Sequence, residues 1–555
     1  METQPKTVSE YLIRRLADYG VEHIFGVPGD YVLQFFQQLE NSPLRVINTC
    51  DEQGAGFAAD AYARLRGLGV VCVTYCVGGL KIVNSTAQAF AEKSPLVVIS
   101  GAPGLSERWR NPLLHHKVRD FDTQLQIFRQ LTVAATDLTE VENGCCEIDR
   151  VLAAAVRYKR PVYIELPRDL TTATCSCPRD PMPPPEASDP QALREALDEA
   201  VRRITRACRP VLIAGIEIQR FGLQQSFLEF VHKTGIPFAT TPLSKSTLSE
   251  DHPLFLGVYA GAVGKEETRQ AVENSDCLIM LGAFMTDVNL GIFTARLDQA
   301  LTISSASDGS CMAFHRYPDV FLTDFLQGLC DADIVALSGR VPVDRPKLEP
   351  SPAFETRDEP ITIRRLFVCL ETVIDGRMVL LADPGEAMFA AIDLTIRHPA
   401  VFLAPAYYTS MGFAVPGAIG AQLARPDLRP LVLVGDGAFQ MTGMEISTAA
   451  RFGLSPIVVV LNNSGYGTER PMTDGGFNDI PAWRYSRLPE AIGSGLGFEV
   501  FTETQFAEAL KAALDNSLVP TVIDVHLDAN DHSPALKRLT DALGAKVRAS
   551  AKLSE

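Results

Sequence analysis

Short runs of consecutive apolar residues alternate along this chain with longer stretches of helical period. Val70-Val71-Cys72-Val73-Thr74 is followed by a glycine pair, a helix-length segment to Glu92, and a second run, Leu96-Val97-Val98-Ile99. Pro210-Val211-Leu212-Ile213-Ala214-Gly215 and Cys277-Leu278-Ile279-Met280-Leu281-Gly282 have the same look, and Leu431-Val432-Leu433-Val434 and Ile457-Val458-Val459-Val460-Leu461 bracket an amphipathic stretch. A strand that is apolar on both faces must be covered on both, so the alternation predicts parallel sheets flanked by helices. Two proline-rich stretches interrupt it, one from about Thr172 to Pro190 with Met182-Pro183-Pro184-Pro185, the other from about Val341 to Pro360 with Pro346, Pro350 and Pro352. Proline at that density blocks helix and ladder alike, and both stretches read as domain boundaries. The expectation is an α/β chain of three doubly wound parallel-sheet domains in series, over 1–175, 190–342 and 360–540, the first and third alike in pattern.

Composition narrows the function classes. The chain has 555 residues, enough for three cores, and 46% hydrophobic against 21% charged residues excludes a largely disordered protein. A net charge of -16 without a basic patch argues against nucleic acid and anionic membrane as partners. The 12 cysteines show no CxxC spacing, and Cys145-Cys146 and Cys175-Ser176-Cys177 read as ordinary thiols because neither has two further ligands to close a zinc site. Neither a leader-like start nor an apolar run of about 18 residues is present, so a soluble, cytoplasmic protein is expected.

The strongest chemical signal is Gly435-Asp436-Gly437, separated by 24 residues from Asn462-Asn463, each just past the end of a predicted strand. In a right-handed crossover those ends can lie side by side, where open α/β sheets bind ligands. A carboxylate and an amide oxygen would then converge, with glycines letting backbone approach a diphosphate and the helix starting near Ala438 aimed at it. Hard oxygen ligands shared with a phosphate suit Mg2+. A dinucleotide fingerprint fits less well, since Gln440 stands where a third glycine belongs.

Gly435-Asp436-Gly437 to Asn462-Asn463 resembles the thiamine diphosphate (ThDP) binding motif. Other segments narrow the resemblance to the 2-oxo acid decarboxylases related to pyruvate, indolepyruvate and phenylpyruvate decarboxylase. They are Phe25-Gly26-Val27-Pro28-Gly29-Asp30-Tyr31, Glu52 ahead of Gly56 to Arg64, Leu113-Leu114-His115-His116, Tyr408 to Phe413, and Asn462 to Arg470. The likeness spans nearly the whole chain. It implies a pyrimidine-binding first domain, a middle domain, a diphosphate-binding third domain, and non-oxidative decarboxylation of a 2-oxo acid to aldehyde and CO2.

The resemblance also implies roles. Glu52 would hydrogen-bond the aminopyrimidine ring nitrogen. Met411 would bend the cofactor, and the Thr409 carbonyl would accept from its amine. Gly435, Asp436, Gly437, Ala438, Asn463 and Gly465 would line the diphosphate, with Asp436, Asn463 and Gly465 on Mg2+. Asp30, His115, His116 and Glu469 would position the substrate carboxylate and move protons. Neighbouring histidines diverge on a helix or strand, so His115 and His116 are not expected to share one ion. The family's site lies between the first domain of one chain and the third of another, which implies at least a homodimer, with a homotetramer expected.

Departures from the family pattern bear on substrate. Thr468 replaces a larger aliphatic residue, so a wider pocket and a bulky 2-oxo acid are expected, with Glu386 and Met388 as further lining residues. Gly467 replaces the more common threonine and loosens that loop. Glu386 and Lys81 read by themselves as solvated charges; facing the cavity, they would alter the proton relay or meet a polar group of the substrate. A carboligase of the acetohydroxy acid synthase type and a catalytically silent cofactor-binding regulator are the alternatives, the first disfavoured by His115, His116 and Glu469. No phosphate loop marks the middle domain, and Thr286-Asp287 resembles a domain-contact loop.

Overall fold

The computed structural model describes residues 7–175, 186–334, 354–396 and 401–553. The proline clusters at 182–185 and 346–352, and Cys177, lie outside the described residues. The apolar runs form three sheets. The first contains β1 (His23–Gly26), β2 (Arg45–Asn48), β3 (Gly69–Val73), β4 (Leu96–Ala102), β5 (Ala134–Asp137) and β6 (Val162–Pro167), ordered β2-β1-β3-β4-β6-β5 with every pair parallel. Every residue of β3, β4 and β6 is buried, as helices on both faces require.

The middle sheet contains β7 (Pro210–Ala214), β8 (Phe238–Thr240), β9 (Phe255–Val258), β10 (Cys277–Leu281), β11 (Thr302–Ala306), β12 (Gly309–Met312) and β13 (His315–Tyr317), in the order β13-β12-β11-β10-β7-β8-β9. It departs from the all-parallel expectation at one edge, where β11, β12 and β13 run antiparallel. The turn at Ser307-Asp308 before Gly309, whose φ is 136°, reverses the chain too tightly for a helical crossover. The crevice between β7 and β10, where an open sheet of this order takes a ligand, receives Lys93 of the first domain, paired with Glu217 and 2.6 Å from the Ser307 hydroxyl.

The third sheet contains β14 (Met378–Ala382), β15 (Val401–Leu403), β16 (Arg429–Gly435), β17 (Ile457–Asn462), β18 (Leu496–Val500) and β19 (Thr521–His526), all parallel, in the order β15-β14-β16-β17-β19-β18. Counted from its own first strand, this is the order of the first sheet.

The two sheets of like order meet through helices Glu52–Arg66 and Ala414–Ala424. Gly420 lies so close to the Ala58 carbonyl that a Cβ there would stand 1.9 Å from the oxygen. Only the small residues of Gly54-Ala55-Gly56-Phe57-Ala58-Ala59 and Ala414-Val415-Pro416-Gly417-Ala418 allow that approach, and two apolar clusters each draw residues from both helices. Phe284, Val288 and Ile292, around Thr286-Asp287, pack against the third domain's core. Among the described residues no helix is long and apolar enough to cross a membrane.

Candidate active site

The third sheet reverses strand order between β14 and β16; of the expected cofactor residues, Gly435 to Ala438 lie where the chain leaves β16, Asn463 and Gly465 where it leaves β17, and Thr409 and Met411 on the segment after β15. Gly435 pairs with Leu461 across β16 and β17, so Asp436 and Asn463 both leave the carboxyl edge side by side. Asp436 is buried; its Oδ1 accepts from Gly437 N at 2.8 Å and its Oδ2 from Gly465 N at 3.1 Å. Burial pushes its pKa up to about 6 even though these amides pull it down. Of the two asparagines, Asn462 is committed to Asp524 at 2.9 Å, and Asn463 is left toward the loop, beside Gly467. A Cβ on Gly435 would meet nothing within 4 Å, whereas one on Gly437 would stand 2.6 Å from the Tyr466 ring and one on Gly465 2.1 Å from the Asn478 carbonyl, so of these three glycines Gly435 is the one that borders open space. An unneutralised buried carboxylate with an amide and a backbone carbonyl beside it suits a hard divalent cation, and open glycine backbone suits a diphosphate. The helix starts at Asp436, and the amphipathic stretch after it is two short helices around a turn at Gly443–Glu445.

Asp383 stands just past β14. It is buried, accepts from Phe413 N at 2.9 Å and Ala414 N at 3.2 Å, and leaves Oδ2 without a hydrogen-bond partner. Burial raises its pKa to about 7. Its bonds fix the loop bearing Thr409 (φ 55°), Met411 and Gly412 (φ 88°). Thr409 is exposed, whereas Met411 is half-buried against the sheet. A Cβ on Gly385 would stand 3.0 Å from Thr468 Oγ1, so 385 and 468 are neighbours. Glu386 is not a solvated charge: it is buried, accepts from Ser533 N at 3.0 Å and stands 3.5 Å from His532. Met388 lies wholly buried in the apolar core.

In the first domain Glu52 opens its helix, capped by Asp51, whose Oδ1 accepts from Gln53 N at 2.8 Å. Lys81 is half exposed, but it is paired: its Nζ contacts Asp51 and stands 2.9 Å from Glu52 Oε2. Glu445 of the third domain accepts the amides of Cys50 and Asp51, each at 3.2 Å.

Asp30, His115 and His116 converge. The divergence expected of adjacent histidines does not occur, because they sit in a turn with His116 at φ 67°, neither helix nor strand. Their ring centroids are 4.8 Å apart at 82°, and one ligand atom from each of Asp30, His115 and His116 falls within 4.8 Å of the others. His115 Nε2 is 2.8 Å from Asp30 Oδ2, and Tyr31 stacks on the His115 ring at 4.8 Å. Arg168, 3.5 Å from the same Asp30 oxygen, also pairs with Glu107 and holds that carboxylate below its ordinary range. A guanidinium so placed competes with any cation, so the group fits proton transfer and anion binding better than a metal. Glu469 stands on the third-domain loop, exposed, and among the described residues no contact joins it to the histidines. Arg168 and Tyr31 were not assigned roles from sequence; the available signal was an arginine immediately beyond the buried strand ending at Pro167.

Family models described as thiamine pyrophosphate enzyme domains match in sequence order: the N-terminal TPP binding domain over residues 6–124, the central domain over 197–321 and the C-terminal TPP binding domain over 383–525. The chain is 38% identical over 521 residues to the indole-3-pyruvate decarboxylase of Azospirillum brasilense, covering 92% of each. It is 34% identical over 526 residues to the alpha-keto-acid decarboxylase of Mycolicibacterium paratuberculosis, again covering 92% of each. With the alpha-keto-acid decarboxylase of Mycobacterium bovis it shares 36% identity over 520 residues, 91% of this chain and 92% of that one.

Proposed function

The chain belongs to the thiamine pyrophosphate enzymes, and from that premise we propose that it decarboxylates a bulky or aromatic 2-oxo acid, of the phenylpyruvate or indolepyruvate kind, releasing an aldehyde and CO2. The observation that carries this reading is the convergence of Asp30, His115 and His116 under Arg168. Two imidazoles and a carboxylate within reach of one another can hold a substrate carboxylate and deliver a proton to the carbon that loses CO2. Bound ThDP supplies the electron sink for that loss.

On this reading Asp436, Asn463 and the Gly465 carbonyl hold Mg2+, and Gly435, Gly437 and Ala438 present backbone to the diphosphate. Met411 shapes the bound cofactor, Thr409 accepts from its amine, and Glu52 faces its ring nitrogen. Thr468 and Glu386 border the substrate side chain, while Met388, wholly buried, belongs to the apolar core. The protein acts as a homodimer at least, and as a homotetramer in its working form, so that Glu469 of one chain meets the histidines of another. In support, Leu113 (97% exposed) and Trp109 (75%) flank the histidine turn, and Tyr407, Tyr408 and Met441 are exposed beside the third-domain loops. Apolar surface of that kind at a site is covered by a second copy more readily than by water. The setting is cytoplasmic: no disulfide joins the described cysteines, Cys145 and Cys175 being in thiol contact at 3.1 Å between sulfurs.

Release of CO2 by purified protein with ThDP and Mg2+, across pyruvate, phenylpyruvate, indolepyruvate and branched 2-oxo acids, tests the reading, with aldehyde and acyloin products separated. Preference for the bulky acids with aldehyde as product is expected. Preference for pyruvate removes the wide pocket, acyloin as main product replaces the decarboxylase by a carboligase, and no CO2 from any acid leaves a cofactor-binding protein without turnover.

A further inference from the structure

Lys81 has no part in the chemistry derived above, yet it touches the acid assigned to the cofactor ring. It sits on the turn Gly79–Ile82, after the glycine pair that follows β3. Its Nζ stands 2.9 Å from Glu52 Oε2 and also contacts Asp51. Asp51 and Glu52 are the cap and first residue of one helix, where backbone amides already favour negative charge. The hydrogen bonds to Asp51 and Glu52 in turn hold the ammonium's proton more tightly. Among the described residues Glu445 and the Cys50 thiol also pack on this corner; burial raises the proton affinity of Glu445 while it binds the Cys50 and Asp51 amides. Two acids and one cation therefore surround Glu52.

We propose that Lys81 is a positioning residue for Glu52, holding its carboxylate with Oε2 against the ammonium and lowering the pH up to which Glu52 and the ThDP ring nitrogen can share a proton. The inference rests on the reading of Glu52 given above. The physical step is Coulombic: a proton placed between a carboxylate and a ring nitrogen is repelled by an ammonium a few ångströms away, so the unit gives it up at lower pH than it would alone. Lys81 thus weakens cofactor attachment on the alkaline side and orients the acid that receives it. A solvated lysine, or one serving only the fold, does neither.

The test uses the full-length protein stripped of cofactor, with Mg2+ in excess. ThDP binding is followed by calorimetry from pH 6 to 9 for wild type, Lys81→Met and Lys81→Arg. In the wild type the affinity falls above a break in pH. In Lys81→Met that break moves up by about one pH unit, the size expected for removing an opposite charge at this distance. Lys81→Arg, keeping the cation, restores it. A ThDP analogue with carbon in place of the ring nitrogen has no proton to share and binds with one pH profile to all three proteins. An unmoved break in Lys81→Met overturns the inference alone. If wild type fails to bind ThDP, or does not distinguish it from the analogue, the Glu52 reading falls and this inference with it.

Discussion

The Arg64 guanidinium stands 2.8 Å from Glu92, and neither side chain reaches solvent. The pair joins two domains. Arg64 also binds Asp60 at 2.8 Å and donates to the Ala404 carbonyl at 3.2 Å, while Glu92 accepts from Tyr407 N at 2.8 Å and Tyr408 N at 3.0 Å. The first domain thereby grips the backbone just ahead of Thr409 and Met411. Truncating one member of a buried ion pair leaves a desolvated charge, which costs about 3–5 kcal/mol. Glu92→Ala is expected to lower stability to urea by that order and to weaken ThDP binding. Glu92→Gln, which keeps an acceptor for the two amides, should lose less of both. Equal losses would mean that charge alone matters.

Asp436 accepts two backbone amides through separate oxygens, which makes its replacement by asparagine more than a loss of charge. One oxygen would become an NH2 facing an N–H, at a cost of about 1–3 kcal/mol for the buried donor left unmet. Asp436→Asn is expected to abolish Mg2+-dependent ThDP binding, read by calorimetry with and without EDTA. Binding that survives with unchanged Mg2+ dependence would remove Asp436 from the metal site.

The histidine turn predicts a different pattern. Asp30 and His115 are 2.8 Å apart and lie in the first domain, away from the described contacts of Asp436 and Asn463. Asp30→Asn or His115→Ala should lower kcat by about 10²-fold or more, the range for losing a positioned proton-transfer group, with ThDP affinity unchanged. A matching loss of cofactor affinity would place the pair in the wrong role.

Much of this was legible in the sequence, and the physics says why. Strands buried on both faces are written as unbroken apolar runs, so the sheets and the adjacency of β16 and β17 could be read directly. Two-residue turns and chain reversals are less visible: the antiparallel edge from β11 to β13 follows from two short turns, Ser307-Asp308 and Ala313-Phe314, and His115 and His116 converge because of one positive φ at His116. Long-range pairs such as Lys81 with Glu52, and Glu386 with His532, leave no mark in a linear pattern, because either partner alone reads as an ordinary surface residue. Asp383 escaped for the same reason: a buried aspartate becomes recognisable only once the amides of Phe413 and Ala414 are seen to meet it.

Thr468 and Gly385 meet at 3.0 Å from an added Cβ, so the two loops leave no slack for a larger residue without taking space from their surroundings. Thr468→Leu is expected to shift the kcat/KM ratio of phenylpyruvate to pyruvate toward pyruvate by about 10- to 200-fold, the range that one or two methylenes can discriminate. An unchanged ratio would show that this side chain does not border the substrate.

Glu165 supplies a prediction about pH. It lies on β6, almost wholly buried, accepts from the Tyr163 hydroxyl at 2.8 Å and stands 3.3 Å from Arg108. Burial raises its pKa from 4.5 to about 7, with Arg108 and Tyr163 opposing the rise. In the unfolded chain it returns to its ordinary value. Below pH 4.5 both states hold the proton, and Glu165 adds no pH dependence. Between pH 4.5 and 7 the folded protein keeps a proton that the unfolded chain has released, so its contribution declines as pH rises, by at most about 1.4 kcal/mol per pH unit. Above 7 both states are ionised and the loss is complete. Glu165→Gln cannot titrate but still accepts from Tyr163, so the stability of wild type relative to this variant should fall across that window and level off on either side. Urea unfolding at pH 4.5, 6 and 7.5, with amide exchange followed on β6, reads the difference. A flat difference would mean that Arg108 keeps the carboxylate ionised throughout, and the first-domain core would then contain a true buried ion pair.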